Sequence, residues 1–525
     1  FKRGTGSNHT LVMINGVPIN DQSTTQGLHD FGVDFIQTVQ QIEVYPGSSA
    51  THFGTNAIGG AVNIILTGDY KDSISLSGDE HSNYDLSGNK TFIYDDSSLN
   101  LKIGTINNET TSARGSVDDE KDSVENYTAN INYEKYIKPS LRFYNTTYIR
   151  QTIAEYDGSV ANQTGYEGDN KMGSFHLGLD KRSQKQNQNS IIYYTIYDRE
   201  YDERGTIDTY ESETIGFKYD ISKTLNNNFS FGAGSEYKYD WGSFDNKGSY
   251  SASTKGNVDN LAIYSNLGVN IFEDTNLSIF LRNDDHKQAG ENSTYKISLS
   301  QKFRKLVFGL ARMTGLRNPT IYELFGTDNF GYSGNRNLKA EKSTSNELYI
   351  KYFFNNKLSF SSSLFRSNIN NNIEYVSNKY VNDDDNIDLN QSGFNGNILY
   401  NNKNTNINFF TSFLSSKKEN GSDQLRRPEK TYGIDLNQKI KTDFLGDFNL
   451  NVNYKHYGKH FDTHASNFST IEMDSTDIID LSVSKKINNY VLSLNIDNLL
   501  NEIYQRPHGY PQNDRQIRFG FSKEF

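Results

Sequence analysis

The chain has 525 residues, 64 acidic and 53 basic, so its formal charge is −11 and it offers no overall basic balance for meeting nucleic acid. Only 34 % of residues are hydrophobic and the mean hydropathy is −0.73, which alone suggests disorder, yet 13 % are aromatic, more than a solvated linker carries. With no cysteine, disulfides, thiolate metal sites and a cysteine nucleophile are excluded. The chain opens on Phe1 with no basic-then-apolar leader, so a signal peptide is expected to have been removed or to lie upstream. Residues 1–68 then read as short buried strands broken by glycines: Leu11 to Asn20, Ile42 to Gly47, Phe53-Gly54 and Ala57 to Ile65. Gly4-Thr5-Gly6 is not a nucleotide loop, because no strand precedes it and no lysine follows at the spacing a phosphate loop needs. The longest apolar candidate, Ile58 to Leu66, is interrupted by Gly59, Gly60 and Asn63 and is too short for a membrane helix of about 18 residues.

From about residue 70 the signal changes to period-two alternation, the pattern of a strand with two unlike faces. In Phe448 to Lys455 every even position is apolar or aromatic and every odd one polar. The same reading covers Ile407 to Phe413, Tyr490 to Asp497 and Ile297 to Phe303. Short turn clusters such as Lys486 to Asn489 appear in alternation with long polar loops such as Val381 to Asn390, with its run Asp383, Asp384 and Asp385. A soluble sandwich and a transmembrane barrel both fit alternation. The barrel fits better, since only 7 prolines occur, aromatics crowd the strand ends, and no apolar set remains to fill sandwich cores. Residues 69–525, divided into strands of about 10 residues with loops about as long, give about 22 antiparallel strands. So wide a barrel needs a plug, and residues 1–68 are the segment that lacks long alternation.

In order and spacing, residues 1–68 resemble the plug of TonB-dependent outer-membrane receptors. The resemblance rests on Arg3-Gly4, Val12 to Gly16, Ile42-Glu43-Val44 with Gly47, and Phe53-Gly54 with Ala57 to Gly60. Asn15, Pro46 and His52 depart from the usual pattern without removing its glycines. Along 69–525 the blocks Leu316 to Pro319, Tyr322 to Leu324, Asn335 to Leu338, Glu341 to Ser343, Leu425 to Pro428, and Asp497 to Tyr504 with Arg515 and Phe525 are also similar to the family. The resemblance implies an all-β transmembrane barrel of about 22 strands with the C-terminal part of a plug in its lumen, the TonB box lying in a segment that is absent. It implies a Gram-negative outer-membrane transporter, not an enzyme, that imports cobalamin or a ferric siderophore with energy from the TonB complex. It also implies contact with outer-membrane lipid or lipopolysaccharide, and a terminal Phe525 read by the barrel-assembly machinery. A passive porin is the alternative. Neither a Gly-x-Ser-x-Gly elbow nor a His-Glu-x-x-His helix is present.

Outward-facing plug loops should include Asn8 and His9, and Asp21, Gln22, Ser23, Thr24 and Thr25, whose polar groups suit a polar ligand. From the barrel, Tyr322, Tyr332 and Arg336 would suit an anionic ferric complex. Arg3, Arg426 and Arg427 read as structural, pairing with acids between plug and wall. Thr320 to Gly334 contains no histidine, which lowers haem as a substrate by the same resemblance. Arg282 to Asp285 is similar to cobalamin receptors, and Tyr156-Asp157, Asp169, Tyr201-Asp202 and Asp208 resemble their calcium-binding loops; carboxylates around a hard cation are reasonable there. No resident cofactor is expected beyond such calcium. His456, His460 and His464 are spaced for a helix but lie in strand-like sequence, and 460 to 464 reads as solvated loop rather than a metal site.

Overall fold

The computed structural model describes residues 3–525 apart from 36–37, 48–51, 69–70, 113–120, 159–164, 249–250, 383–386 and 444–445, so the acid run Asp383 to Asp385 lies outside the described residues. Between Ser73 and Glu524, 22 antiparallel strands close into a barrel. The last, Gln516–Glu524, pairs with the first, Ser73–Gly78, from Phe519 opposite Gly78 to Glu524 opposite Ser73.

Alternation explains which face each strand shows. In Phe448–Tyr457 the odd residues form a polar ladder on the lumen side, where Asn437 Nδ2 donates to Asn451 Oδ1 at 2.6 Å and Asn453 bonds Asp435. The even residues put Phe, Leu, Val and Tyr on the outside. Exposed Leu281, Ile297, Leu310, Leu364, Phe409 and Ile434 continue that outer apolar face, as a lipid-facing wall requires.

Connections at the end where the first barrel strand begins and the last one finishes are short, as at Arg182 to Gln186 or Ile487 to Tyr490. The opposite end carries the longer ones, including Arg317 to Glu341, Asn370 to Leu389 and Tyr457 to Thr476. It is not uniformly long, because Glu203 to Thr206 and His286 to Gly290 are tight turns. Strands are also longer than a membrane needs, up to the 21 residues of Ala252–Phe272, so the wall rises beyond the bilayer before it turns. Two small hairpins stand off the barrel, Glu374–Val376 with Lys379–Val381 and His460–Thr463 with Thr470–Met473. The second places His460 in a strand, not the loop expected from sequence.

Inside the lumen lies a four-stranded sheet ordered Val17–Pro18, Thr10–Ile14, Gly60–Ile65, Gln41–Pro46. Thr10–Ile14 runs parallel to Gly60–Ile65 and is buried on both faces. On one side Val12, Ile14, Val62 and Leu66 pack on Tyr148, Met172 and Tyr197 of the wall; on the other Leu11 and Met13 pack on Ala57 and Ala61. Asn15 and Gly16 both take positive φ, 48° and 83°, the two-residue hairpin turn that Asn-Gly favours. Gly59 is required by crowding, since a Cβ there would lie 2.1 Å from Thr5 Oγ1 and 3.0 Å from the His9 carbonyl oxygen.

Candidate functional site

The polar lumen wall holds the sheet through buried charged clamps. Arg3 forms a two-pronged pair with Glu347 at 2.7 and 3.1 Å, its guanidinium 4.6 Å from the Phe365 ring centre. Arg150 meets Asp34 at 3.3 Å and donates to the Val33 carbonyl at 2.9 Å, while His29 bridges Asp34 and Tyr197. Lys102 Nζ donates to the carbonyls of Thr38 and Leu66, each at 3.0 Å. Arg199 meets Asp21 at 2.9 Å and donates to the Ser23 carbonyl at 2.7 Å, and Ser212 donates to the same Asp21 at 2.8 Å. Arg282 is held by Glu236 and Asp284 at 3.0 and 2.8 Å and faces Gly54, where a Cβ would stand 2.7 Å from its Nη2.

At the long-loop end the segment after Arg317 turns inward as the short helix Ile321–Phe325. Thr320 caps it, and the Glu323 carboxylate accepts from the Thr320 N–H at 2.9 Å. Arg317 binds Glu323 at 2.6 and 3.0 Å and Glu341 at 3.0 Å; Glu341 in turn meets plug His9 at 2.8 Å and accepts from the Ile373 N–H. Burial pushes the Glu323 carboxyl up to about 7 against the pull of Arg317. The Leu316 to Pro319 and Glu341 blocks therefore fasten helix, wall and plug together.

That helix sits in a chain of aromatic rings around this end. Tyr166, Tyr156, Tyr201, Tyr210 and Phe244 follow at centroid spacings of 5.6, 5.9, 5.8 and 6.2 Å. Phe244 lies 5.0 Å from Tyr322, which stacks on Tyr332 at 5.1 Å and 14°, and Tyr332 meets Tyr375 and Tyr380, each at 5.9 Å. Arg199 stands over Tyr201 and Tyr210 at 5.7 and 5.0 Å. A cavity of ≈ 160 Å³ opens beside this chain, lined by Phe244, Asn246, Thr254, Tyr322, Thr327 and Asp328.

The residues singled out from sequence divide between these features. Tyr322 and Tyr332 join the aromatic chain, with Tyr332 buried and its hydroxyl donating to the Tyr322 carbonyl at 2.8 Å, while Arg336 is exposed over Phe325 at 5.2 Å. Asn8 and His9 are buried in a one-turn helix against the wall, His9 on Glu341. Asp21, Gln22 and Ser23 are buried, Asp21 and Ser23 by Arg199; Thr24 hydrogen-bonds the Asp21 carbonyl, and Thr25 is exposed with its carbonyl accepting from Thr320. Of the three arginines read as structural, Arg3 pairs with an acid across the seam. Arg426 pairs with Asp462 at 2.7 Å within the loop end, and Arg427 donates to the plug's Gly4 carbonyl at 2.8 Å.

The acids compared with calcium loops do not gather into a cage. Asp157 accepts from Ser112 at 2.8 Å, and Asp169 from Lys171 and Gln151 at 2.9 and 3.1 Å. Asp202 and Asp208 accept from the N–H groups of Gly205 and Lys247, and the Tyr201 hydroxyl bonds Arg199. Among the described residues no three of His, Asp and Glu stand together as metal ligands. His456 instead meets Asp477 at 2.9 Å, and His464 packs on His508 at 4.5 Å. Sequence reasoning missed Arg150, Arg199, Asp34 and Glu236; for the three on barrel strands the available signal was charge at alternate, lumen-facing positions, while Asp34 lies in a plug loop that carries no such pattern.

A 22-strand barrel whose lumen holds a clamped sheet is a plugged receptor barrel, distinct from an open pore. The chain belongs to the TonB-dependent receptor family: the family described as TonB dependent receptor-like, beta-barrel matches residues 48–499, and TonB-dependent Receptor Plug Domain matches residues 1–61. That family is one of receptors and transporters, not enzymes. In sequence the chain is similar to the vitamin B12 transporter BtuB of Vibrio cholerae, 24 % identical over 555 residues that cover 100 % of this chain and 85 % of the relative. In fold it is similar to the siderophore receptor PirA of Acinetobacter baumannii, with TM-score 0.85, 16 % identity and coverage of 100 % and 91 %. It is likewise similar to the copper transporter OprC, with TM-score 0.83, 13 % identity and the same coverage.

Proposed function

We propose that this receptor imports a cobalamin across the Gram-negative outer membrane, the long-loop end facing outward and TonB supplying the energy for plug release. The observation that carries the reading is the charge at the outer aromatic chain. Arg199, over Tyr201 and Tyr210, is neutralised by Asp21, and Asp208 and Asp328 lie beside Tyr210 and Tyr322, while the other cations over rings, Arg204 and Arg336, stand over Tyr166 and Phe325 away from that middle stretch. An anionic ferric complex would meet carboxylates there, whereas a large, neutral, amide-rich ligand meets stacked rings and hydrogen-bonding groups. Similarity to a vitamin B12 transporter over the whole of this chain points the same way. Tyr322, Tyr332, Thr25 and Arg336 are the contacts this reading assigns to ligand. Asn8, His9, Asp21, Gln22, Ser23 and Thr24 would shape the plug face beneath it. Calcium binding by Asp157, Asp169, Tyr201, Asp202 and Asp208 would require the loops to rearrange around the ion. The porin alternative has no support, since the lumen is filled by a sheet clamped from several sides. Equilibrium binding of cyanocobalamin and of ferric catecholate and hydroxamate complexes to detergent-purified protein tests the choice. Submicromolar cobalamin binding is expected, and tight binding of only the ferric complexes would overturn it.

A further inference from the structure

One plug loop, Asn20 to Leu28, is fastened to both arms of the aromatic chain. The loop is internally bonded: Asn20 Nδ2 donates to the Gly27 carbonyl at 3.1 Å, and the Thr24 hydroxyl donates to the Asp21 carbonyl and accepts from the Leu28 N–H, each at 2.9 Å. Near its start Asp21 and Ser23 hold Arg199, the cation over Tyr201 and Tyr210. At its tip the Thr25 carbonyl accepts from the Thr320 hydroxyl at 2.8 Å, and Thr320 caps the helix that carries Tyr322. Gly27 takes φ +61°, and a Cβ there would stand 3.0 Å from the Thr320 methyl.

The wall beneath this helix is notched to receive it. Gly242 lies opposite Gly256 in register. A Cβ on Gly256 would come within 2.8 Å of Ile321 and 2.6 Å of Phe325, and one on Gly242 within 3.2 Å of the Gln22 carbonyl oxygen and 3.3 Å of Ile321. Wall, helix and plug loop therefore touch at van der Waals distance, and the helix cannot tilt away from the wall without parting Thr320 from Thr25.

We propose that Thr320 is a positioning residue for the ligand site. Its hydroxyl ties the helix bearing Tyr322 to the loop that also fixes Arg199, so the two arms of the aromatic chain keep their spacing only while this loop is seated. Displacing the loop dismantles the site, and the movement that opens a path through the lumen also frees the ligand. The tie rests on the ligand reading proposed above.

Detergent-purified full-chain receptor titrated with cyanocobalamin tests the tie. T320V loses the bond to Thr25 and should bind about fivefold more weakly, whereas T320S keeps it and should stay within about twofold of wild type. G27A touches no ring, yet by pushing on the Thr320 methyl it should weaken binding about threefold. G27A/T320S removes that methyl and should recover to the level of T320S, which a general loss of stability would not allow. G16A, at another positive-φ plug glycine whose added Cβ meets nothing within 4 Å, should match wild type. Heat-modifiable migration reports folding. If G27A misfolds, T320D takes its place, since its carboxylate caps the helix but cannot donate to Thr25, and it should bind as weakly as T320V. Wild-type affinity in T320V, or G27A/T320S no better than G27A, overturns the tie and leaves cobalamin as the ligand. Wild type that binds only ferric complexes overturns the cargo, and the same variants titrated with the bound complex then decide the tie. Binding of neither overturns both.

Discussion

Plug His9 Nε2 lies 2.8 Å from Glu341, a wall residue 332 positions later, with both side chains almost wholly out of solvent. Glu341 also takes Arg317, so one carboxylate joins the plug to the helix at the long-loop end. Removing one partner of a buried pair costs about 3–5 kcal/mol because the other charge is left uncompensated. E341A is therefore expected to loosen the plug, seen as faster protease cleavage within residues 3–68 and as ion conductance in planar bilayers. E341Q should lie between E341A and wild type.

Gly54 takes φ +104° with Arg282 packed over it. G54A combines a conformation that L residues disfavour with a Cβ 2.7 Å from a buried guanidinium, a strain of about 1–3 kcal/mol. Its uptake should fall and its plug should become protease-sensitive. Adding R282K, whose slimmer head relieves the contact, should restore part of the protease resistance, and no recovery would place the strain elsewhere.

Ligand binding should track the aromatic chain. Y322A removes a ring stacked on Tyr332 and packed on Phe244 and should weaken cobalamin binding by about 1–1.5 kcal/mol, or about tenfold. Y332F loses only the bond to the Tyr322 carbonyl, about 1 kcal/mol of local order, and should bind with a smaller deficit. Calorimetric titration separates the two.

Asp462 gives a pH dependence at the loop end. Burial opposes its charge, but Arg426 and the N–H groups of His508 and Thr463 hold its carboxyl below the usual range. A folded value below the unfolded value means that its contribution is complete above the unfolded pKa of about 4 and is lost as pH falls through the folded one. Hydrogen exchange of the His460–Thr463 hairpin, corrected for intrinsic rate, should be unchanged from pH 7 to 5 and accelerate below about 4. D462N should exchange fast throughout.

Phe525 is exposed beside the barrel, and its N–H donates to the Asp72 carbonyl at 3.0 Å. Deleting it removes little packing, so a large fall in outer-membrane barrel with unchanged melting of the folded fraction would mark it as an assembly signal. Parallel falls in both would mark it as structural.

Alternation made the barrel legible, because in strands such as Phe448–Tyr457 every second residue must face lipid. The plug was legible through its glycines, since backbone crowding at Gly59 and the turn at Asn15-Gly16 leave little choice of residue. The clamps were not. Arg199, Arg150 and Arg282 look like any polar residue on a lumen face; Arg199 and Arg150 find plug acids more than a hundred residues away, and Arg282 finds Glu236 two strands back as well as the neighbouring Asp284. Asp21 and Ser23 looked like free turn residues for the same reason, as only barrel closure brings Arg199 onto them. Tyr322 and Tyr332 stood out because their motif is local, while the rings that extend it come from other strands.

The pairing of Gln516–Glu524 with Ser73–Gly78 has a consequence for biogenesis. Until the nine residues of the last strand arrive, the sheet is open and curved, with two unsatisfied hydrogen-bonding margins, each able to recruit a strand from another molecule. The cell must therefore shelter both margins for the whole time this chain is being delivered, and the last strand ends that exposure by joining them.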